Sequence, residues 1–379
     1  MRIGFVLDES LDGTDGVQQY VLRVSEWLRS QGHEVHYLVG ETARTDVPNI
    51  HSLSRNLHVH FNGNRLSTPL PVSWPKLQAA LDELQLDVLH IQAPYSPFMA
   101  GRIMAIAPKD TAVVGTFHIL PYSRLASCAS YGLGLINRLS AHRFDAMMAV
   151  SAPAQAFARS HYGLTSVVVP NCFDSKTFKR GKADSSQKRI VYLGRLVERK
   201  GPFELLRAVA YLHEQGEWPS GWKVTIGGKG QLKEGLTRFI TQHHLEQVVT
   251  LAGFVAEESK ADFLAQADIA VFPSTAGESF GISLLEAFAA ARGVVLAGDN
   301  PGYRSVMVGF EDQLFNPRNT IAFADLLKQW MHDDSARTRL SRMQRTYVER
   351  FDAQIVGAQI VGVYEKALQT RRPTWHNKG

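Results

Sequence analysis

Apolar residues fall into short continuous runs, separated by longer stretches in which they recur every three to four positions. The runs at residues 2–7, 34–39, 88–91, 112–117 and 146–150 read as buried strands. Helical spacing covers residues 17–30, 74–84, 97–107 and 152–162. The rhythm then restarts. Strands are predicted at 189–193, 223–226, 248–251, 269–272 and 293–297, and helices near 202–215, 231–243, 257–265 and 282–291. Strand–helix alternation calls for βαβ units, because parallel neighbours need a long crossover between them. Two α/β domains in tandem are therefore predicted, 1–172 and 173–354, joined by a polar stretch at 174–187 rich in Lys and Ser. A last helical pattern at 351–368 is long enough to fold back on the first domain, with about 355–370 as the packing segment.

Composition changes this picture little. The 379 residues suit two domains at roughly 100–200 residues each. With 45% hydrophobic and 20% charged residues, the chain can bury sizeable cores. Two cysteines, Cys128 and Cys172, are too few for a disulfide framework, so reduced thiols and a cytoplasmic setting are expected. The first apolar run meets Asp8 and Glu9 too early for a signal-peptide core. No apolar run reaches the ~18 residues of a membrane span. The net charge is +5, and residues 1–172 carry equal numbers of acids and bases, so the excess lies beyond them, where it would suit a phosphate-bearing ligand. No basic run with interleaved aromatics points to nucleic acid. Zinc-ligand spacings and HExxH are absent, and no Asp-x-Asp follows a strand, so no metal is expected.

In open α/β sheets ligands bind at the carboxyl ends of strands, and four such ends carry chemistry. After the strand at 269–272 comes Gly277-Glu278-Ser279-Phe280-Gly281, and then a helix beginning at Ile282. The unpaired N–H groups of a helix start attract phosphate. Phosphates held by Ser279, Phe280, Gly281 and Ile282 would leave Glu286 near a ribose and Glu278 near sugar hydroxyls. The second end is Gly194-Arg195-Leu196-Val197-Glu198-Arg199-Lys200-Gly201. There Arg195 and Lys200 can face a pyrophosphate leaving group in place of a divalent metal, with Gly194 counted among the donor-binding residues. The third is Gly115-Thr116-Phe117-His118, where a histidine can bond a sugar hydroxyl. The fourth is the loop Asp12 to Gln18, in which Gly16 would let the backbone approach a phosphate or sugar. Gly227-Gly228-Lys229-Gly230 is a weaker loop of the same kind and lacks P-loop spacing.

These four ends together resemble the metal-independent, retaining GT-B glycosyltransferases. The Glu-x7-Glu signature of that family falls on Glu278 and Glu286, its basic pair on Arg195 and Lys200, and its hinge string on Pro170-Asn171-Cys172-Phe173-Asp174. The resemblance implies two Rossmann-like domains whose parallel sheets face across a cleft, an acceptor domain followed by a donor domain, and a nucleotide-sugar donor with no tightly bound cofactor. Gly16-Val17-Gln18, Phe61-Asn62-Gly63-Asn64, His90-Ile91-Gln92-Ala93-Pro94 and Gly115-Thr116-Phe117-His118 are further similar to actinobacterial phosphatidylinositol mannosyltransferases. That similarity implies GDP-mannose as donor and a lipid or polyol acceptor at the inner membrane face. It also implies that Gln18, Asn62 and Asn64 lie toward the acceptor and His118 beside the transferred sugar. The helix at 74–84 has Lys76 as its only cation, so electrostatic docking on a membrane there should be weak; the apolar stretch 119–139 could supply a contact instead. Two other readings of the same architecture stay open: a sugar-nucleotide epimerase or phosphorylase, and a non-catalytic binding module.

Overall fold

The computed structural model describes residues 1–13, 16–61, 64–92, 94, 96–121, 141–179 and 187–372, with only the backbone described at 58–61, 64–68 and 141. The chain divides into two compact units, Met1–Cys172 with Ala353–Gly379, and Phe173–Asp352.

The first unit is built on a seven-stranded sheet. Its strands are β1 (Arg2–Leu7), β2 (Glu34–Val39), β3 (Ile50–Ser52), β6 (Val88–Ile91), β7 (Ala112–Phe117), β8 (Ala146–Ala149) and β9 (Val167–Val168). Between β3 and β6 lies an antiparallel hairpin, β4 (Asn56–Phe61) with β5 (Asn64–Pro69). The sheet order is β3-β2-β1-β6-β7-β8-β9, and its pairings are parallel. Successive side chains of a strand point to opposite faces. Ile3, Phe5 and Leu7 accordingly join a core with Tyr20, Val24 and Leu28 of helix Gly16–Ser30. Val6 joins the other core, with Leu77 and Leu81 of helix Trp74–Leu84 and Ile103 of helix Met99–Ala105. A sheet covered on both faces explains why its strands read as unbroken apolar runs.

The C-terminal helix Ala353–Arg371 packs in the first unit, where Val356, Ile360, Tyr364 and Leu368 complete the core beside helix Gly16–Ser30. The second unit therefore ends at Asp352 rather than 354. The placement also corrects the charge reading. Lys366, Arg371, Arg372 and Lys378 with Glu365 lie in the tail, so three of the five excess positive charges belong to the first unit. A basic second half is therefore no pointer to the phosphate site.

The second unit holds β10 (Lys188–Leu193), β11 (Trp222–Gly227), β12 (Val249–Gly253), β13 (Ile269–Phe272), β14 (Val294–Gly298) and β15 (Leu314–Phe315), in the order β12-β11-β10-β13-β14-β15. That is the doubly wound order, and its reversal lies between β10 and β13, which pair in parallel through Ile190↔Ile269 and Val191↔Ala270. The stretch expected as linker is part of this unit at its start: Ser175–Lys179 is helical, and 180–186 lie outside the described residues.

Several expected elements differ in detail. The helix expected at 97–107 is only Met99–Ala105, and the one at 152–162 changes to a π-helix at Ala158–Tyr162. The hairpin and the helices Thr320–His332 and Asp334–Tyr347 were not predicted. Their signals were present: Asn62-Gly63 between alternating residues for the hairpin, and Asn319 and Asp333 as side-chain caps for the helices.

Candidate active site

In the second unit, the β10–β13 pairing sets the loop after β10 against the loop after β13. Their approach is close enough that a Cβ on Gly201 would collide with the Pro273 carbonyl, and Gly201 has φ +70°. The Arg199 carbonyl accepts a hydrogen bond from the Thr275 N–H at 2.9 Å, and the Ser274 hydroxyl oxygen lies 2.9 Å from the same carbonyl oxygen. Across this seam Lys200 Nζ lies 2.8 Å and Arg199 Nη1 3.1 Å from Glu278 Oε1, with Ser274 Oγ at 2.7 Å from the same oxygen. Glu278 is buried. Burial pushes its carboxyl up, but the charges of Lys200 and Arg199 and bonds from Lys200 and Ser274 outweigh it, so the group sits below the usual carboxylate range. Enclosure pulls the Lys200 ammonium down, against the opposing pull of Glu278. The site thus holds an ionised carboxylate within a field of fixed cations.

The helix Ile282–Ala290 begins at Gly281, with φ +120° and no side-chain cap. A Cβ at Gly281 would press on the Tyr303 ring, so the turn is shaped by both conformation and space. Its first N–H groups have no side-chain cap, and such a helix start favours an anion. Phe280 and Gly281 are buried, while Ser279 and Ile282 are partly exposed. Glu286 lies one turn on, 3% exposed, with Lys260 Nζ 3.9 Å from its Oε1. Gly194 is tied by its N–H to the Gly227 carbonyl at 3.0 Å. Arg195 is partly exposed, and its carbonyl accepts from the Tyr192 hydroxyl at 2.9 Å. Lys200 of the expected basic pair meets Glu278; the second cation on that carboxylate is Arg199, which sequence reasoning missed.

In the first unit, His118 follows β7 and is buried, its Nε2 2.9 Å from Gln92 Oε1 at the end of β6. Gln92 accepts, so Nε2 carries the proton and Nδ1 of the neutral ring is the acceptor. Burial lowers the imidazole to about 3, so it stays neutral at physiological pH. Tyr20 meets this ring edge-on at 4.9 Å. Sequence reasoning missed Gln92 as the partner of His118; its position at a strand end beside β7 was the available signal. Gln18 is buried, with Nε2 donating to Glu9 Oε2 at 2.7 Å, and its Oε1 has no hydrogen-bond partner. Gly16 opens its helix, and a Cβ there would meet nothing within 4 Å, so packing alone does not require glycine. Asn64 begins β5, its side chain undescribed; Asn62 and residues 122–139 of the apolar stretch lie outside the described residues, as does Cys128. Cys172 is buried. Among the described residues no helix is long and apolar enough to cross a membrane.

Both units are doubly wound, and the second carries a helix start without a side-chain cap beside its switch point. The family model described as Glycosyltransferase Family 4 matches residues 14–177, and that described as Glycosyl transferases group 1 matches 174–347. The phosphatidyl-myo-inositol mannosyltransferase of Mycolicibacterium smegmatis is 30% identical over 379 residues, spanning 96% of this chain and 94% of its own. That of Mycobacterium tuberculosis is 29% identical over 378 residues, spanning 96% and 97%. Among solved structures, Anabaena HepE in complex with UDP and glucose superposes with a TM-score of 0.73 over 96% of this chain and 99% of its own, at 18% identity. The chain belongs to the glycosyltransferase family that contains the phosphatidyl-myo-inositol mannosyltransferases.

Proposed function

We propose that this enzyme transfers mannose from GDP-mannose, with retention, to a hydroxyl of a phosphoinositide or related lipid-linked polyol. The observation that carries the donor half is the buried Lys200–Glu278 pair beside the uncapped helix start at Gly281. The second unit is the donor domain in this reading. The N–H groups of Ser279 to Ile282 bind the diphosphate, Glu286 takes the ribose hydroxyls and Glu278 the sugar hydroxyls. Arg195 and Lys200 stabilise the charge that grows on the leaving phosphate, so no divalent metal is required. The first unit is the acceptor domain. Gly16 contacts the donor through its backbone, and Gln18, Asn62 and Asn64 face the acceptor. His118, kept neutral, takes a sugar hydroxyl at Nδ1.

The acceptor assignment draws support from the curated relatives, whose names carry phosphatidyl-myo-inositol. The acceptor hydroxyl attacks on the face from which the phosphate departs, and that phosphate takes the proton. Exclusion of water protects the donor from hydrolysis. The enzyme works in the cytoplasm, with weak peripheral contact to the inner membrane face.

The test is transfer of labelled mannose from GDP-mannose to phosphatidylinositol vesicles, run in EDTA. Glu278→Ala and Lys200→Ala should each cut turnover about a hundredfold or more while the fold persists. Full turnover in both variants, or an absolute need for a divalent ion, overturns the reading. A thermal-shift panel of GDP, UDP and ADP identifies the base, since a ligand at 100 times its Kd adds about 2.7 kcal/mol. A UDP- or ADP-hexose donor with another acceptor is the alternative that this panel separates.

A further inference from the structure

Lys200 and Arg199 reach Glu278 from adjacent positions, yet they differ in what else is asked of them. Lys200 is the group read as a ligand of the leaving diphosphate. An ammonium has three N–H donors and can divide them between carboxylate and phosphate, but its hold on Glu278 is then shared. Arg199 carries no such second assignment. Its backbone is built into the seam that fixes the Glu278 loop, through the bond from Thr275 N–H to its carbonyl. Its guanidinium then meets Glu278 Oε1 at 3.1 Å, with 15% of the Arg199 side chain and 10% of the Glu278 side chain exposed. The Lys200, Arg199 and Ser274 contacts all fall on Oε1 and not on Oε2.

We propose that Arg199 is a positioning residue for the donor sugar: while the diphosphate draws on Lys200, Arg199 keeps Glu278 ionised and oriented so that Oε2 meets the sugar hydroxyls. This rests on the donor-site reading of Glu278. The charged and titratable groups that interact with that carboxylate include Lys200 and Arg199 from the β10 loop, Tyr192 from β10, and Tyr303 from helix Pro301–Val306; Arg195 acts on Lys200 and Tyr192, and Glu204 on Tyr192. Arg199 follows Lys200 among the charges that hold Glu278 low, so its loss moves the carboxyl toward its ordinary range.

The readout is the sugar's own contribution to binding, the ratio of GDP-mannose to GDP affinity measured by calorimetry on the full chain, with UDP-glucose and UDP in parallel. Arg199→Ala should reduce that ratio about tenfold or more and leave nucleoside-diphosphate affinity unchanged. Arg199→Lys should restore part of it. The acid limb of the ratio should move to higher pH in Arg199→Ala. In a Glu278→Gln background, Arg199→Ala should cost nothing further. Because the backbone bond of the seam survives in these variants, folding is checked by their unfolding midpoints, and Arg199→Lys serves where Arg199→Ala is destabilised. If Glu278→Gln leaves the ratio unchanged, or the wild-type chain binds neither sugar nucleotide, the donor reading fails and the inference with it. If Glu278→Gln abolishes the ratio but Arg199→Ala spares it, or acts equally in both backgrounds, only the inference fails.

Discussion

His90 and Tyr364 are 274 positions apart, and the Tyr364 hydroxyl lies 2.6 Å from His90 Nδ1. The other ring nitrogen, Nε2, lies 2.6 Å from Thr116 Oγ1. A fully buried neutral imidazole can hold both bonds only by accepting at one nitrogen and donating at the other. The pair ties the C-terminal helix to β6 in the centre of the first unit's sheet, and Gly357 on the same helix leaves room for the Trp27 ring of helix Gly16–Ser30.

Tyr364→Phe keeps the apolar packing and leaves His90 without one partner inside the core. A buried polar group left unpaired costs about 1–3 kcal/mol. Equilibrium urea unfolding should therefore show a lower midpoint at unchanged slope. A midpoint equal to the wild type would remove the tether from the account of stability.

The acid sensitivity of the first unit follows from two buried imidazoles, His90 and His118. Burial holds His118 down to about 3 and His90 well below its ordinary 6.5. Both folded values lie below the unfolded ones. The stability tied to them is complete above pH about 6.5 and is lost as the pH falls below it, for His118 down to about 3. Each ring contributes a slope of up to about 1.4 kcal/mol per pH unit. Urea midpoints measured from pH 7 to pH 5 should fall, and His118→Gln should flatten that fall even if it lowers stability at pH 7. An unaltered slope in the variant would show that His118 protonates freely in the native state.

Gly201→Ala tests the seam of the donor unit. The new Cβ meets the Pro273 carbonyl at a backbone conformation of φ +70°, costly for any L side chain by about 1–2 kcal/mol before the collision is added. The loops after β10 and β13 must part, and Lys200 then withdraws from Glu278. Loss of the GDP-mannose thermal shift beyond the loss of stability is expected; a fully retained shift would mean that the seam does not shape the site.

Most strands of both sheets were legible because the inner ones are buried on both faces and spelled as apolar runs, whereas the short edge strands β3, β9 and β15, exposed or partly so, were not predicted. Glu278 and the helix start at Ile282 were legible for a similar reason: they are contiguous, and an uncapped helix N-terminus is a local property of the chain. The β4–β5 hairpin and the helices capped by Asn319 and Asp333 were passed over, although their turn and cap residues were present. What no local pattern carried was the meeting of Arg199 with Glu278. It depends on β10 and β13, 79 residues apart at that contact, becoming neighbours at the reversal of strand order. The same holds for Gln92 beside His118, and for the ownership of the tail's charge, which a helix docking on the first unit reassigned. Sequence determined the elements and the chemistry that each strand end carries. Tertiary structure decided which strand ends meet, because sheet order is set by how crossovers bury both faces at once and not by any residue near the site.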